Sequence, residues 1–592
     1  MHFGGLHEDE TLGKAYDRRL MKRFIGYLSP YRREAAGAVS LLPLVAAAKL
    51  AQPWLLKLAI DRHIVAGRME GLPLLTLWFL LLIVAESLFT YLEVWLLQHL
   101  GQRVMQDIRL ELFAHLQRMP ASFFDRTPTG SLVTRLTSDV EVLGEMFAAG
   151  IVTVVGDVLV LAGIVGIMLW MNPRLSLVTF TVLPCLVWIA FTFRRRMREA
   201  FRAVRARLAD LNAFLAESIG GMGVIQLFNR QRTEQEEFSR LNASYRDANL
   251  PVISWDASLY AAVETLSSVA VGLIIWYGGG EIVKGALTFG ALVAFIQYIE
   301  KFFSPIRDLS AKYSVMQGAM AALERIFHLL DAETTDQIPL NPPLKKGGGG
   351  GFESIEFKDV WFAYQGEEYV LKGFNLVIRR GETVALVGET GGGKTTVTRL
   401  LSRLYEVSRG AITIDGTDIR DIPLRELRRR IGVVLQDPYL FSGTVEYNIS
   451  LGDDAARGRV EKAARMVGAD RFIGRLPHAF REEVRERGVN FSAGERQLIS
   501  FARAVAYDPE ILVLDEATAS VDSEAERQIQ EGLRGLMAGR TALVVAHRLS
   551  TVRDAGRIVV VHRGEKAEEG SHRELLRRRG LYYRLHQLQF RD

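Results

Sequence analysis

From Leu175 to Thr192 the chain runs for 18 residues without a charged side chain. A stretch of that length and character crosses the hydrocarbon core of a bilayer as a helix, because lipid offers backbone N–H and C=O groups no partners outside the segment. Five more runs join it. Ala35–Ile60 is interrupted by Lys49 and Lys57. Leu72–Leu97 contains the dense core LPLLTLWFLLLIVA. Ala148–Met171 is apolar except for Asp157 and is closed by Asn172-Pro173. Ala257–Tyr277 and Ala286–Ile299 complete the set, with a short turn at Gly278–Lys284 between them. Six spans put both ends of the chain on one side of the membrane. Arg18, Arg19, Lys22, Arg23, Arg32 and Arg33 precede the first span and assign that side to the cytoplasm by the positive-inside rule.

The gaps between spans are unequal. Residues 101–146 carry Val104, Ile108, Leu112, Leu116 and Met119 at spacings of three and four with charges between, the pattern of an amphipathic helix in water. The second span is expected to continue into it and to turn near Pro128 and Gly130. Residues 194–250 repeat this behaviour, with Leu208, Leu211, Leu215 and Ile219 in register and a break at Gly220-Gly221. Loops between membrane helices are usually short, so both excursions are expected to reach toward something in the cytoplasm.

The expected organisation is a cytoplasmic segment 1–34, a six-helix transmembrane domain 35–330 with excursions 101–146 and 194–250, a Pro/Gly linker 331–351, and a soluble α/β domain 352–592. The overall 49% hydrophobic content therefore averages two unlike halves. A net charge of +5, with arginines beside apolar runs, suits an anionic leaflet, and no nucleic-acid recognition motif accompanies it. The single cysteine, Cys185, excludes a disulfide framework, and the charged start is not a secretory signal. Glu86, Glu93, Asp157, Glu264 and Glu300 fall in or beside spans. They mark either a substrate path, which would suit cationic amphiphiles, or pairing with Lys49, Lys57 and Lys301.

In the soluble part, Gly388–Thr396 reads GETGGGKTT, a match to G-x-x-x-x-G-K-[ST]. An apolar strand, Thr383–Val387, precedes it and a helical pattern, Val397–Leu404, follows. Such a loop wraps a phosphate chain with backbone amides at a helix N-terminus. Gly388, Glu389, Thr390, Gly391, Gly392 and Gly393 would line it, with Thr396 just beyond. Lys394 would reach the β/γ-phosphates of ATP, and Thr395 would ligate Mg²⁺.

Further motifs follow in a fixed order: VWFAYQG with Tyr364, VVLQDPYLF with Gln436, FSAGERQ from Phe491, ILVLDE ending at Glu516, SVD at Ser520–Asp522, and VVAHRLS with His547. Together with six spans ahead of them, these resemble an exporter-type ABC half-transporter over roughly residues 20–590. The resemblance implies that Tyr364 stacks on adenine and that Gln436 contacts Mg²⁺ or water. It implies that Asp515 holds Mg²⁺ and Glu516 polarises the attacking water, while His547 contacts the γ-phosphate. Ser492 and Gly494 would bind the γ-phosphate held by an opposite cassette, so a second half-transporter is an implied partner, beside membrane lipids and a small-molecule substrate. A bacterial cytoplasmic (inner) membrane, with the cassette in the cytoplasm, is the implied location. No N-terminal peptidase domain is present, so peptide processing is not expected.

Three positions depart from the family pattern. Ala493 and Glu495 stand where the usual L-S-G-G-Q has glycine and glutamine, and Arg485 stands where glycine is usual. A carboxylate near a phosphate is unfavourable. Intact Lys394, Asp515, Glu516 and His547 beside an altered signature resemble one subunit of a heterodimeric exporter with unequal ATP sites. The expected function is ATP-driven export of an amphiphilic, drug-like or lipid substrate by alternating access. A homodimeric flippase and an ATP-gated channel or regulator on the same fold are the alternatives.

Overall fold

The structure, a computed structural model, describes residues 17–147, 151–334, 352–515, 523–546 and 549–589. The chain divides into two compact units. One holds the residues up to Gln117 together with Gly130–Ala332; the other holds Arg118–Thr129 and the residues from Glu333 onward. Most of the expected linker, 335–351, lies outside the described residues.

The first unit is helical. A short helix, α1 (Arg18–Gly26), is capped by Asp17, whose carboxylate accepts from the backbone N–H groups of Arg19 and Leu20. It buries Met21 and Phe24, an amphipathic element that the polar reading of 1–34 missed. Then come α2 (Arg32–Ala59) and α3 (Leu72–Leu116), the latter one continuous 45-residue helix from span into excursion. It is followed by α4 (Ala121–Arg126), α5 (Thr129–Thr134) and α6 (Val140–Glu145). The unit continues with α7 (Ile151–Met171), α8 (Pro173–Phe180), α9 (Leu183–Gly220) and α10 (Met222–Leu227). It ends with α11 (Gln231–Val283) and α12 (Phe289–Leu330).

One expectation changes here. The charge-free run Leu175–Thr192 is two helices, α8 and α9, parted at Thr181–Val182, where Pro184 follows and restricts the preceding backbone. Five of the expected spans are long and apolar enough to cross a membrane by length and composition among the described residues. The sixth expected span lies in α12, which is 42 residues long but has its apolar run broken by Gln297, Glu300 and Lys301.

An apolar core of Ile164, Met168, Leu175, Ile274, Phe295, Tyr298 and Phe303 ties α7, α8, α11 and α12 together. By contrast, no residue in the most apolar window of α3 is buried. A surface of exposed Leu, Trp and Val on a 45-residue helix is stable against lipid or another apolar surface, not against water. Several spans carry internal polar partners. Gln52 donates to Glu86 and accepts from Lys301 Nζ at 2.9 Å, and Lys312 pairs with Asp157. Among the acids noted in the sequence, Glu86 and Asp157 are thus engaged by the chain's own side chains.

The second unit is α/β. Its strands are β1 (Ser354–Ala363), β2 (Tyr369–Arg379), β3 (Thr383–Val387), β4 (Arg409–Ile414), β5 (Thr417–Asp418) and β6 (Ile431–Val434). They continue with β7 (Gly443–Thr444), β8 (Glu483–Val484), β9 (Ile511–Asp515), β10 (Thr541–Val545), β11 (Arg557–His562) and β12 (Glu565–Gly570). A six-stranded sheet runs β12-β11-β3-β10-β9-β6, parallel except at β12. β9 and β10 are buried at every residue, as strands covered on both faces must be. A separate antiparallel sheet runs β2-β1-β4-β5. In the parallel sheet Leu386 and Asp515 both pair in register with Val545, so the C-terminal ends of β3, β9 and β10 lie side by side. Ligands of open parallel sheets bind at that edge.

Candidate functional site

The loop after β3 is built on close backbone approach. A Cβ placed on Gly388 would lie 2.1 Å from the Val561 carbonyl oxygen on β11, so no side chain fits where the loop leaves the strand. Gly393 has φ +99°, a left-handed conformation that costs a non-glycine residue strain, and it caps the helix Lys394–Leu401. The loop therefore closes tightly enough for its amides to face inward at the helix N-terminus, where an anion is favoured.

Lys394 opens that helix and folds back over the loop. Its ammonium donates to the carbonyls of Gly388 and Glu389, each at 2.8 Å, and its residue surface is 5% exposed. Burial pushes its proton affinity below the usual lysine range, while Asp515 and Glu389 pull it back. A buried cation satisfied by carbonyls alone is well matched to an anion brought into the loop. Thr395 Oγ1 lies 3.3 Å from Asp515 Oδ1 at the end of β9. A hydroxyl and a carboxylate side by side are hard oxygen donors, and the pair fits Mg²⁺.

Tyr364, just after β1, leans on this helix. Its hydroxyl is 3.1 Å from Thr396 Oγ1 and accepts from Arg399 at 3.4 Å. Its ring meets Phe362 and Tyr405 edge-on at 4.8 and 5.1 Å. The sequence reading missed Tyr405, Arg399 and their neighbours from α4. Arg126 donates to the Tyr364 carbonyl at 3.1 Å, and Asp125 accepts from the Tyr405 hydroxyl. Burial and that hydrogen bond push the Tyr405 hydroxyl up to about 12. The signal available was the FFDR sequence before Pro128, in the turn near Phe123–Gly130 through which the long cytoplasmic helices are expected to pass cassette closure to the spans.

The other end of the cassette is arranged differently. Ser492 is the N-cap of the helix Ala493–Ala506, and Glu495 completes a capping box. Ser492 Oγ accepts from the Glu495 N–H at 3.2 Å, and the Glu495 carboxylate accepts from the Ser492 N–H at 2.8 Å. Glu495 thus sits on the helix N-terminus instead of pointing away from it. Ala493 is exposed at the first helical position, and Gly494 is buried. Arg485 donates its N–H to Asn490 Oδ1 at 3.0 Å. Among the described residues, no hydrogen bond or ion pair links Ser492 or Gly494 to the loop at Lys394.

Gln436 is exposed in the bend that follows β6. The chain beyond it is pinned to the helix Ala493–Ala506 by Arg503, which donates to the carbonyls of Tyr439 at 3.0 Å and Asn448 at 2.7 Å. An arginine inside the apolar run Leu498–Ala506 was the sequence signal for this tie. Glu516, Ser520–Asp522 and His547 lie outside the described residues. Of the expected site, the structure brings together Tyr364, Lys394, Thr395, Thr396 and Asp515.

Known proteins share this organisation. The ABC transporter transmembrane region family matches residues 38–306, and the ABC transporter family matches residues 371–519. An uncharacterised ABC transporter ATP-binding protein of Bacillus subtilis is 38% identical over 98% of this chain and 96% of its own length. An ATP-dependent lipid A-core flippase of Syntrophus aciditrophicus is 35% identical over 97% of this chain and 95% of its own length. A bacterial Atm1-family ABC exporter, solved with ATP bound, superposes with a TM-score of 0.78 at 28% identity, covering 95% of this chain and 99% of that one. With a membrane domain and an ATP-binding cassette fused in one polypeptide, and with relatives matched from end to end, the chain belongs to the ABC transporters of exporter type, in which ATP hydrolysis by the cassette drives transport.

Proposed function

We propose that the chain is one half of a heterodimeric exporter with unequal ATP sites, moving an amphiphilic, drug-like or lipid substrate out across the bacterial cytoplasmic membrane. The observation that carries this reading is the contrast inside the cassette. Lys394 closes a loop shaped for phosphate, with Thr395 and Asp515 paired as oxygen donors that suit Mg²⁺, whereas at Ser492 the backbone N–H is already taken by the Glu495 carboxylate, which places a negative charge beside Ser492 and Gly494. A partner's unaltered signature would complete the site built on Lys394, and this chain's Glu495-capped helix would cover a weaker site on the partner.

In this reading Lys394 binds the β/γ-phosphates and the amides of Gly388–Gly393 cradle them, with Tyr364 stacking on adenine. Thr395, Asp515 and Gln436 hold Mg²⁺, which neutralises phosphate charge when bound. Glu516 orients and polarises the attacking water, and His547 contacts the γ-phosphate. Asp125 and Arg126 of α4, grouped with the cassette and bonded around Tyr364 and Tyr405, support α4 as the piece that carries cassette motion to the spans.

The test is ATPase activity in lipid of this chain alone and of this chain paired with a second half-transporter. Activity in the pair that is abolished by Glu516→Gln, with little from the chain alone, is expected. Full, cooperative activity from the chain alone would overturn the heterodimer.

A further inference from the structure

We propose that Arg399 and Tyr405 are positioning residues for base recognition, and that Asp125 of α4 acts on nucleotide affinity through them. The proposal rests on the stacking role given to Tyr364 above and accounts for how that ring is made ready for a base.

Tyr364 needs such support. Ala363 is the last residue of β1 that pairs with β2, and the register already shifts between Phe362 and Ala363. Tyr364 therefore stands in a bend beyond the ladder, where backbone pairing no longer fixes the direction of a side chain. A ring that is ordered only when a base arrives subtracts that ordering from the affinity, whereas a ring held beforehand does not.

Three sets of contacts hold it. At the tip, Thr396 and Arg399 lie three apart on one face of the helix Lys394–Leu401 and meet the hydroxyl at 3.1 and 3.4 Å. At the backbone, Arg126 donates to the Tyr364 carbonyl at 3.1 Å. Along the ring, Phe362 and Tyr405 stand edge-on at 85° and 86°. Phe362 is buried in the apolar core and is fixed by it. Tyr405 is only half-buried at the rim of that core, and its hydroxyl donates to Asp125. Asp125 thereby reaches the Tyr364 ring through the Tyr405 phenol.

Arg399 completes the arrangement. An exposed guanidinium ordinarily extends into water; this one meets a neutral hydroxyl instead. Partial burial works against its charge, but Tyr364, Tyr405 and Asp125 more than offset it. One cation is therefore shared by both tyrosines and the α4 carboxylate. An ordinary solvated helix face accounts for a basic residue at this position, but not for its convergence with α4 on one phenol.

The experiment separates base from phosphate. The full chain in nanodiscs is titrated with MgATP and with magnesium tripolyphosphate, which offers the loop phosphates without a base. Arg399→Gln and Tyr405→Phe combined should weaken ATP binding about fivefold, with tripolyphosphate binding unchanged. Arg399→Lys, which keeps a donor, should stay near wild type. Asp125→Ala should weaken ATP as Tyr405→Phe alone does, and combining those two should add nothing, because both remove one bond. Tyr364→Ala tells the two readings apart. If it weakens ATP but not tripolyphosphate while Arg399→Gln/Tyr405→Phe leaves ATP binding unchanged, stacking stands and the positioning role is overturned. Equal losses of ATP and tripolyphosphate in Arg399→Gln/Tyr405→Phe also overturn it, since the contacts then only support the helix Lys394–Leu401. If Tyr364→Ala leaves ATP binding unchanged, the stacking reading fails and this proposal falls with it.

Discussion

The two ends of the cassette handle the same chemistry in opposite ways. At the helix Lys394–Leu401 the sequence leaves donors unspent: glycines clear the loop, and the buried ammonium of Lys394 rests on two carbonyls that it can exchange for a better acceptor. At the helix Ala493–Ala506 the Ser492 N–H is spent within the chain, because Glu495 returns its carboxylate to it. Both are helix N-termini with the same partial positive charge. The difference is whether an internal anion already occupies the position. One carboxylate, at the fifth position of the motif, therefore caps its own helix and, in the proposed reading, opposes a second anion there.

Breaking the first end should have the largest effect. Lys394→Ala in the paired transporter should lower ATPase activity by about 100-fold or more, since a positioned charge facing phosphate is removed from a water-poor site. Steady-state phosphate release measures this. Gly388→Ala forces a methyl group to within van der Waals overlap of the Val561 carbonyl, and backbone cannot yield as a side chain would. It should destabilise the cassette by about 3 kcal/mol, the upper range for overpacking, seen as a lowered Tm. Tyr364→Ala should raise the KM for ATP about tenfold with a smaller change in kcat, in line with the loss of one base-stacking contact. If Tyr364 instead serves only to anchor Thr396 and Arg399 through its hydroxyl, Tyr364→Phe will reproduce the loss; a stacking role predicts that phenylalanine retains most of the affinity.

Much of this was legible in the sequence. Strand β3 has the bounds that its apolar run implied, and the long cytoplasmic continuation of the second span is a single helix, α3. Both follow from local periodicity, which a sequence displays directly. The membrane spans were less legible. Hydropathy alone did not reveal the break at Thr181–Val182, nor how the polar residues Gln297, Glu300 and Lys301 are accommodated in α12. Those residues are tolerated because partners from α2 meet them: Lys301 is bonded to the Lys49 carbonyl at 3.0 Å and to Gln52 at 2.9 Å. Such pairing depends on which helices are neighbours, and sequence spacing does not carry that information.

At the nucleotide site, spacing pointed to Lys394 and Thr395, and the resemblance to ABC half-transporters added Asp515 and Tyr364. They could not reveal α4 beneath Tyr364 and Tyr405, since Asp125 and Tyr405 are 280 residues apart. Nor could they separate two meanings of Glu495. The sequence presents a misplaced negative charge; the structure presents a helix cap, which is why an apparently unfavourable residue is held at that position.

The most direct test of this contrast is Glu495→Gln in the chain assembled on its own in lipid, with ATPase rate and Tm read from the same preparation. Glutamine keeps a hydrogen bond to the Ser492 N–H and removes the charge. The account predicts that ATPase rises by about fivefold while the Tm falls slightly, because a carboxylate at a helix N-terminus contributes up to about 1 kcal/mol to the helix and opposes a second anion there. An ATPase rate that does not change, or that falls together with the Tm, would mean that Glu495 is a structural cap and that the two ends of the cassette are equally competent.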